Sequence, residues 1–448
     1  MKAGGNPARN AEWPDDLSAP VSTLPEHSRL WVAFSGGLDS ALLLHVVASC
    51  HCDVTAIHIN HQLQSNHRQT EQFCRDVCDQ LGVPIVVEHV DVEVSDTGAG
   101  GLEEAARNAR YSVFERRLRK GELILMAHHG DDQAETVLFR LLRGSGVNGL
   151  AGMPANRALG RGSLYRPWLA VGRNRLEEVA VSSGLSWVED PSNESQVYDR
   201  NYLRHAVIPG LKKRWPGFLK RVGHSAGACR ESAELNQRLA ELHWQSCSDK
   251  GRLSLAALRE LTALERRNLV RWWLQQQRLE VPASVSLDKG LADLLSAADD
   301  RSPELRGSGF SLRRYRSYLY LVPHMTVPES PVRLGPNESV VWGVWRLRLV
   351  SNPAVGNSKK FPPPIRVSTR QGGERVKIRP DGPSRALKTW LQEQGVPPWE
   401  RAVLPLVYGR GGEGEELIAI GDLWCSDQYS GSAPATGWRL IVERNLIE

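Results

Sequence analysis

The sequence of 448 residues predicts an α/β protein: a doubly wound, mostly parallel sheet, followed by a helix-rich stretch and a small α+β tail. Three observations carry this prediction. Short apolar runs alternate with amphipathic stretches as far as residue 143. A glycine-rich turn directly follows the first run. Beyond residue 145 the alternation gives way to glycine-rich loops, then helical spacing, then short β-like runs.

The apolar runs lie at 30–34, 54–59, 85–87 and 123–127, each the length of a strand buried on both faces. Helical patterns at 40–49, 67–81, 102–118 and 131–143 separate them, and strands alternating with helices at this repeat build a doubly wound sheet. Gly144, Gly146, Gly149, Gly152, Gly160 and Gly162 mark a loop-rich stretch, after which helical signals return at 173–183 and 199–214. Residues 216–297 are helix-rich, with Leu235, Leu239 and Leu242 spaced along one helical face. Strand-like pieces follow at 310–322, and 351–364, with Pro353, Pro362, Pro363 and Pro364, reads as a linker. The tail has β-like runs at 345–350, 417–420 and 438–442 around one helix near 385–394. The expected organisation is a disordered extension (1–28), an α/β domain (29–225), a helix-rich linker domain (226–325) and an α+β C-terminal domain (326–448).

Composition sets outer limits. Hydrophobic residues at 41% and charged residues at 24% exclude a wholly disordered or fibrous chain. No apolar run approaches the ~20 residues that span a bilayer, so no membrane partner is expected. Residues 1–28 contain Pro7, Pro14, Pro20 and Pro25 and lack the apolar centre of a signal peptide, so the chain reads as cytoplasmic. The net charge of +5 matters only where it is clustered. Seven cysteines spread over a long chain read as reduced thiols.

Ser35-Gly36-Gly37-Leu38-Asp39-Ser40 follows the first strand and opens a helix. Glycines let the backbone approach a ligand closely, and the amides and dipole of a helix start favour an anion. Ser35 and Ser40 offer hydroxyl donors. Asp39 against a bare phosphate implies a bridging cation, most simply Mg²⁺. An ordinary strand-to-helix turn with an Asp cap is the plainer alternative. No Gly-Lys dipeptide occurs, which excludes a Walker-type loop, and the dinucleotide fingerprint is absent here.

Other strand ends carry chemistry too. His58-Ile59-Asn60-His61 closes the second strand, and His128-His129-Gly130-Asp131-Asp132-Gln133-Ala134-Glu135 follows the fourth. Asp131 and Asp132 fall in a first helical turn, where acids are favoured, and Asp131 and Glu135 share a face. The group could gather a metal or a cationic substrate, but no histidine pair has zinc spacing. Arg107 and Arg110 share a helical face and could hold a phosphate, or form a solvated face paired with Glu103 and Glu104. Arg200, Arg204, Lys212, Lys213, Arg214, Lys220 and Arg221 crowd one acid-free segment with Trp215 and Phe218, as in a nucleic-acid footprint.

The hexapeptide SGGLDS resembles the signature of PP-loop ATP pyrophosphatases. That likeness implies cleavage of ATP between the α- and β-phosphates and transfer of AMP to a carbonyl-type oxygen. With HINHQL, EEAARNARY, AHHGDDQAET, RGSGVNGLAGM, Tyr165-Arg166-Pro167, Glu189-Asp190-Pro191-Ser192-Asn193 and DRNYLRH, the chain from about 29 to 210 is similar to one such family, the tRNA(Ile)-lysidine synthetases. Trp168 departs from the small aliphatic residue expected there and could reshape a pocket edge. The segment 372–406 resembles the family's C-terminal domain, which contacts the tRNA acceptor stem.

The resemblance implies ATP and Mg²⁺ as cofactors, free L-lysine as co-substrate, and a tRNA(Ile) with a CAU anticodon as partner. A homodimer is compatible with it. Its implied product is lysidine at the wobble cytidine, made through an adenylated intermediate. The residues expected at the ATP are Ser35, Gly36, Gly37, Leu38, Asp39, Ser40, His58, Asn60, His61 and Arg110, with Asp39 on the metal. Asp39, Arg107, His129, Asp132, Glu135 and Arg204 are expected to be catalytic. Lys212, Lys213, Arg214, Arg375, Lys377, Arg379, Arg385 and Lys388 are expected on the tRNA. Two alternatives stand beside this reading: a 2-thiocytidine synthetase-like modifier, which would need paired cysteines, and a non-catalytic ATP- and RNA-binding protein.

Overall fold

The computed structural model of the chain describes residues 12–63, 66–92, 101–189, 199–298, 301, 303–324, 326–328, 331–351, 365–379, 382–410, 415–430 and 438–444; of residues 101–103 and 410 only the backbone is described. It divides into two compact units, Met1–Arg238 and Leu239–Glu448.

In the first unit the elements run α1 (Asp15–Ser22), β1 (Arg29–Ala33), α2 (Leu38–Cys50), β2 (Val54–Asn60), α3 (His67–Leu81), β3 (Ile85–His89), α4 (Gly101–Arg117), β4 (Glu122–Leu125), α5 (Gly130–Leu142) and α6 (Val147–Leu150). Then come β5 (Asn156–Leu159), β6 (Gly162–Tyr165), α7 (Arg173–Ser182), α8 (Asp199–Tyr202), a π-helical turn (Leu203–Val207), α9 (Ile208–Arg214) and the long α10 (Phe218–Cys247). The sheet order is β3-β2-β1-β4-β6-β5, with every pairing parallel except the β5–β6 hairpin. Alternate residues of β1 serve opposite faces. Leu30 and Val32 pack with α2, and Trp31 packs with Val113, Phe114 and Leu118 around α4. Because β2 lies on one side of β1 and β4 on the other, the connections diverge there. That leaves a crevice beyond the carboxyl ends of β1 and β4, where doubly wound sheets bind ligands.

The extension expected to be disordered is ordered from residue 12 onward. Leu17 and Val21, four apart on α1, are fully buried against the sheet domain. Two well-placed apolar side chains outweigh the prolines and acids around them. Trp168, expected at a pocket edge, lies instead in this core at 0% exposure, and its Nε1 donates to the Leu17 carbonyl at 3.1 Å. Arg175 on α7 pairs with Asp16 at 3.0 Å. The indole at 168 is thus bound to the turn of α1 around Leu17. Residues 1–11 lie outside the described residues.

The second unit begins within α10, at Leu239, and the helix runs unbroken through residues 225 and 226, where a domain boundary was expected. Helices Ala263–Gln276 and Ser284–Ser296 pack on an antiparallel sheet that includes Phe310–Tyr315 and Tyr318–Pro323. A second core gathers Trp342, Trp345, Val367, Leu391 and Ile420 among further antiparallel strands. Arg401 donates to the Tyr315 hydroxyl at 3.0 Å, and Trp399 packs edge-on against Tyr315 and Tyr320. The proline-rich stretch from 352 lies outside the described residues. Among the described residues, no helix is long and apolar enough to cross a membrane.

Candidate active site

The loop after β1 is a cradle with little side-chain bulk. Gly36 has φ +89°, and a Cβ there would meet Thr70 Cγ2 at 3.1 Å and Cys74 Sγ at 3.2 Å, so only glycine fits without strain. Ser40 Oγ accepts from Ser35 N at 3.2 Å and donates to Gly37 O at 3.0 Å, which fixes the loop's curvature. Gly37 caps α2 with no side-chain bond, so the helix start is open to an anion. Val188 N bonds to Gly36 O at 2.9 Å from the opposite wall.

Across the crevice, His129 is the N-cap of α5. Its Nδ1 accepts from Asp132 N at 3.4 Å, while Asp132 Oδ2 accepts from His129 N at 3.0 Å, a capping box that fixes the ring. The ring's Nε2 lies 3.5 Å from Asp132 Oδ2 and 3.7 Å from Asp39 Oδ2. At 3.7 Å Asp39 acts on the imidazole mainly as a charge. The chain of partners continues through Arg204, whose Nη2 donates to Asp132 Oδ1 at 3.2 Å. Arg204 also grips Glu135 with two bonds, of 2.7 and 2.9 Å. Arg204 sits on the π-helical turn, a distortion that often marks functional sites. Asp39, His129, Asp132, Arg204 and Glu135 thus form one continuous relay of alternating charge.

Burial depresses the His129 pKa, but Asp39 and Asp132 outweigh it and hold the imidazole above its ordinary value. Burial raises the Glu135 carboxyl above its ordinary value, and Arg204 only partly offsets this. Burial, with Arg110 and His58, pushes His61 down to about 4, so His61 is neutral; both of its ring nitrogens are buried without a hydrogen-bond partner. The long Nδ1 contact belongs to the neutral ring, and protonation gives it up for attraction to Asp39 and Asp132. Because the folded state favours the protonated form, its stabilising effect is complete below the free imidazole value of ~6.5 and fades as pH rises through the raised pKa. His129→Gln is therefore expected to lower Tm most at pH 6 and least at pH 9. A pH-independent difference between the two melting curves would remove the ion-pair role.

The other expected residues fall into three groups. His58 is buried and bonds to Phe34 O at 2.9 Å, and Asn60 bonds to Glu71 at 2.9 Å, so both are held in place at the end of β2. Arg107 lies over the Tyr111 ring at 5.2 Å, in a cluster with Arg140, Arg157 and Arg166. Of the basic segment, Lys212 turns inward to Asp131 at 2.7 Å and Arg200 to Thr136 at 3.2 Å. Lys213, Arg214, Lys220, Arg221 and Trp215 remain exposed. In the second unit Arg375, Lys377, Arg379, Arg385 and Lys388 are all exposed; Arg375 pairs with Ala386, and Arg385 with Val376, across a two-stranded ribbon. Residues 190–193 of the Glu189 string lie outside the described residues.

Two features were not anticipated from the sequence. Gln133 clamps the glycine-rich loop, bonding Met153 O at 2.9 Å and accepting from Met153 N at 2.7 Å. Arg140 and Arg157 join Arg107 and Arg166 around Tyr111, and no spacing in the sequence announces that convergence. Cys74 and Cys78 are buried with thiols pushed well up by desolvation, which keeps them protonated. Reactive sulfur chemistry needs thiolates.

A cation at Asp39 fits its surroundings. Asp39 Oδ1 is buried with no hydrogen-bond partner and adjoins the anion cradle. Among the described residues no group of three or more His, Cys, Asp or Glu side chains is placed to hold a metal unaided. One carboxylate shared with substrate phosphates is the usual arrangement for Mg²⁺.

The switch-point crevice, the open glycine cradle and the carboxylate–imidazole relay define an enzyme of the PP-loop class, and the PP-loop domain model matches residues 14–211. Models of the TilS substrate binding domain and the TilS substrate C-terminal domain match 253–320 and 365–442. The chain is 40% identical over 444 residues to the tRNA(Ile)-lysidine synthase of Alkalilimnicola ehrlichii, covering 96% of this chain and 97% of that one. It is 38% identical over 435 residues to that of Pseudomonas aeruginosa (91% and 92%), and 33% identical over 439 residues to that of Coxiella burnetii (96% and 96%). The chain belongs to the tRNA(Ile)-lysidine synthase family.

Proposed function

We propose that this protein uses ATP to join free L-lysine to carbon-2 of the wobble cytidine in a tRNA(Ile) with a CAU anticodon. The observation that carries the reading is the meeting of the bare Gly36–Gly37 cradle with a relay running from Asp39 to Glu135. The cradle amides and Ser35 and Ser40 hydroxyls hold the β- and γ-phosphates. Mg²⁺ at Asp39 would neutralise phosphate charge as it builds. The cytidine oxygen at carbon-2 takes the adenylyl group and diphosphate leaves. The lysine ε-amine then attacks carbon-2 and AMP departs.

The relay suits the second step. Its carboxylates Asp132 and Glu135 offer acceptors for the lysine ammonium. That ammonium must lose a proton before it attacks, since free amines of this kind titrate near 10.4. Asp132 and Glu135 both accept hydrogen bonds from Arg204, and Glu135, with its raised pKa, is suited to take a proton from the amine. The exposed basic faces at Lys213–Arg214 and around Arg375, Lys377, Arg379, Arg385 and Lys388 offer phosphate contacts for tRNA.

Incubation with a bulk tRNA pool, ATP and radiolabelled lysine tests this. Acid-stable label is expected in one isoleucine tRNA, with one AMP per lysine incorporated and no label from other amino acids. Label in no tRNA, or ATP left uncleaved, overturns it.

A further inference from the structure

A cavity of about 520 Å³ lies in the first unit, between α4, α5 and the β5–β6 hairpin. Arg107, Arg140, Arg157 and Arg166 line it around Tyr111, and Glu115 is the one carboxylate in its lining. Arg107 and Arg157 both lie over the Tyr111 ring, at 5.2 and 5.0 Å. Arg166 donates to the Tyr111 hydroxyl at 3.3 Å, to Pro154 O at 2.8 Å and to His128 Nδ1 at 3.1 Å. Arg140 donates to Gly149 O and Gly152 O. Among the described residues none of the four guanidinium groups is ion-paired with a carboxylate. Carbonyls and a phenol hold these cations in place, and nothing described neutralises them. Four like charges converging on one cavity repel one another, and an anion that joins them relieves that repulsion. Guanidinium forks match phosphate oxygens in pairs.

The position narrows the choice of anion. His128 and His129 are consecutive but face opposite ways: His129 toward Asp39 and Asp132, His128 toward Arg166. One wall residue of the cavity, Arg166, thus holds the residue that precedes His129 in the chain. A base delivered to the relay brings its own backbone phosphates with it. Proteins use such phosphates to set register while the base itself is read elsewhere.

We propose that the Arg107–Arg140–Arg157–Arg166 cavity holds a backbone phosphate of the RNA strand adjoining the nucleotide to be modified, fixing that nucleotide's register over the relay. The proposal rests on the function given above and deepens it by assigning a second anion site, distinct from the glycine cradle.

Arg157 provides the test, because it lies on an edge strand and takes no part in the relay. Filter binding of a 17-nucleotide anticodon stem-loop across a salt series is compared for wild type, Arg157→Ala and Arg157→Lys. Arg157→Ala is expected to weaken RNA binding about tenfold and to lower the slope of log K against log salt by roughly 0.7–1. Arg157→Lys should recover part of both, and ATP affinity should stay at the wild-type value. In stem-loops carrying single methylphosphonate linkages, one linkage next to the target cytidine should cost the wild type the same factor and cost Arg157→Ala nothing more. Unchanged RNA affinity and slope in Arg157→Ala would overturn the proposal. So would loss of ATP affinity in place of RNA affinity, or thermal stabilisation by inorganic phosphate with no RNA effect. Linkage-specific binding without any lysine incorporation would sink the modification chemistry and leave this site standing.

Discussion

Asp39→Ala is expected to lower tRNA-dependent diphosphate release by at least about 10³-fold, or ~4 kcal/mol of transition-state stabilisation. The size follows from two losses at one position. Asp39 Oδ1 is the buried oxygen that adjoins the phosphate cradle without a partner, and Oδ2 is one of the two carboxylate oxygens flanking His129. The fold should survive, because Asp39 makes no capping bond in α2 and its side chain is 29% exposed. Asp39→Asn keeps the shape and removes the charge, so it should fail nearly as badly. Wild-type diphosphate release by either variant, measured under saturating ATP, would remove both the metal and the relay from the mechanism.

The second large effect is at Arg204. Glu135 is 2% exposed, and Arg204 supplies both of its strong hydrogen bonds. Arg204→Ala leaves that carboxyl buried without its cation, a change worth about 2–4 kcal/mol of stability. The penalty has a sign in pH. Burial already raises the Glu135 pKa, and losing Arg204 raises it further, so the variant favours the protonated acid and grows less stable as pH increases. Urea denaturation should show a larger deficit at pH 8 than at pH 5. Lysine transfer should be lost at both. Equal stability of variant and wild type at pH 8 would mean that Glu135 does not depend on Arg204.

The parallel sheet was legible because each central strand is an uninterrupted apolar run and each helix between them repeats at helical spacing. The cradle was legible because tight turns at strand ends require glycine, as Gly36 with its positive φ requires. What the sequence hid were contacts between distant segments. The acid-free run from 200 to 221 read as a nucleic-acid footprint, with Arg204 alone expected to be catalytic, yet Lys212 as well as Arg204 finds acids in α5, Asp131, Asp132 and Glu135, 69 to 81 residues earlier. Likewise the four arginines around Tyr111 come from α4, α5, β5 and the end of β6. The hairpin of β5 and β6 was missed because its strands are four residues each and carry polar side chains. Helix α1 was missed because only Leu17 and Val21 betray its inner face.

That helix has a consequence for protein engineering. The indole of Trp168 and the turn around Leu17 are two halves of one joint, connected across 151 positions of sequence. Grafting either half alone into a scaffold lacking the other would leave an uncovered aromatic ring or an uncovered aliphatic stripe, each prone to sticking. Any chimera of the catalytic unit must exchange the leading segment and residue 168 together.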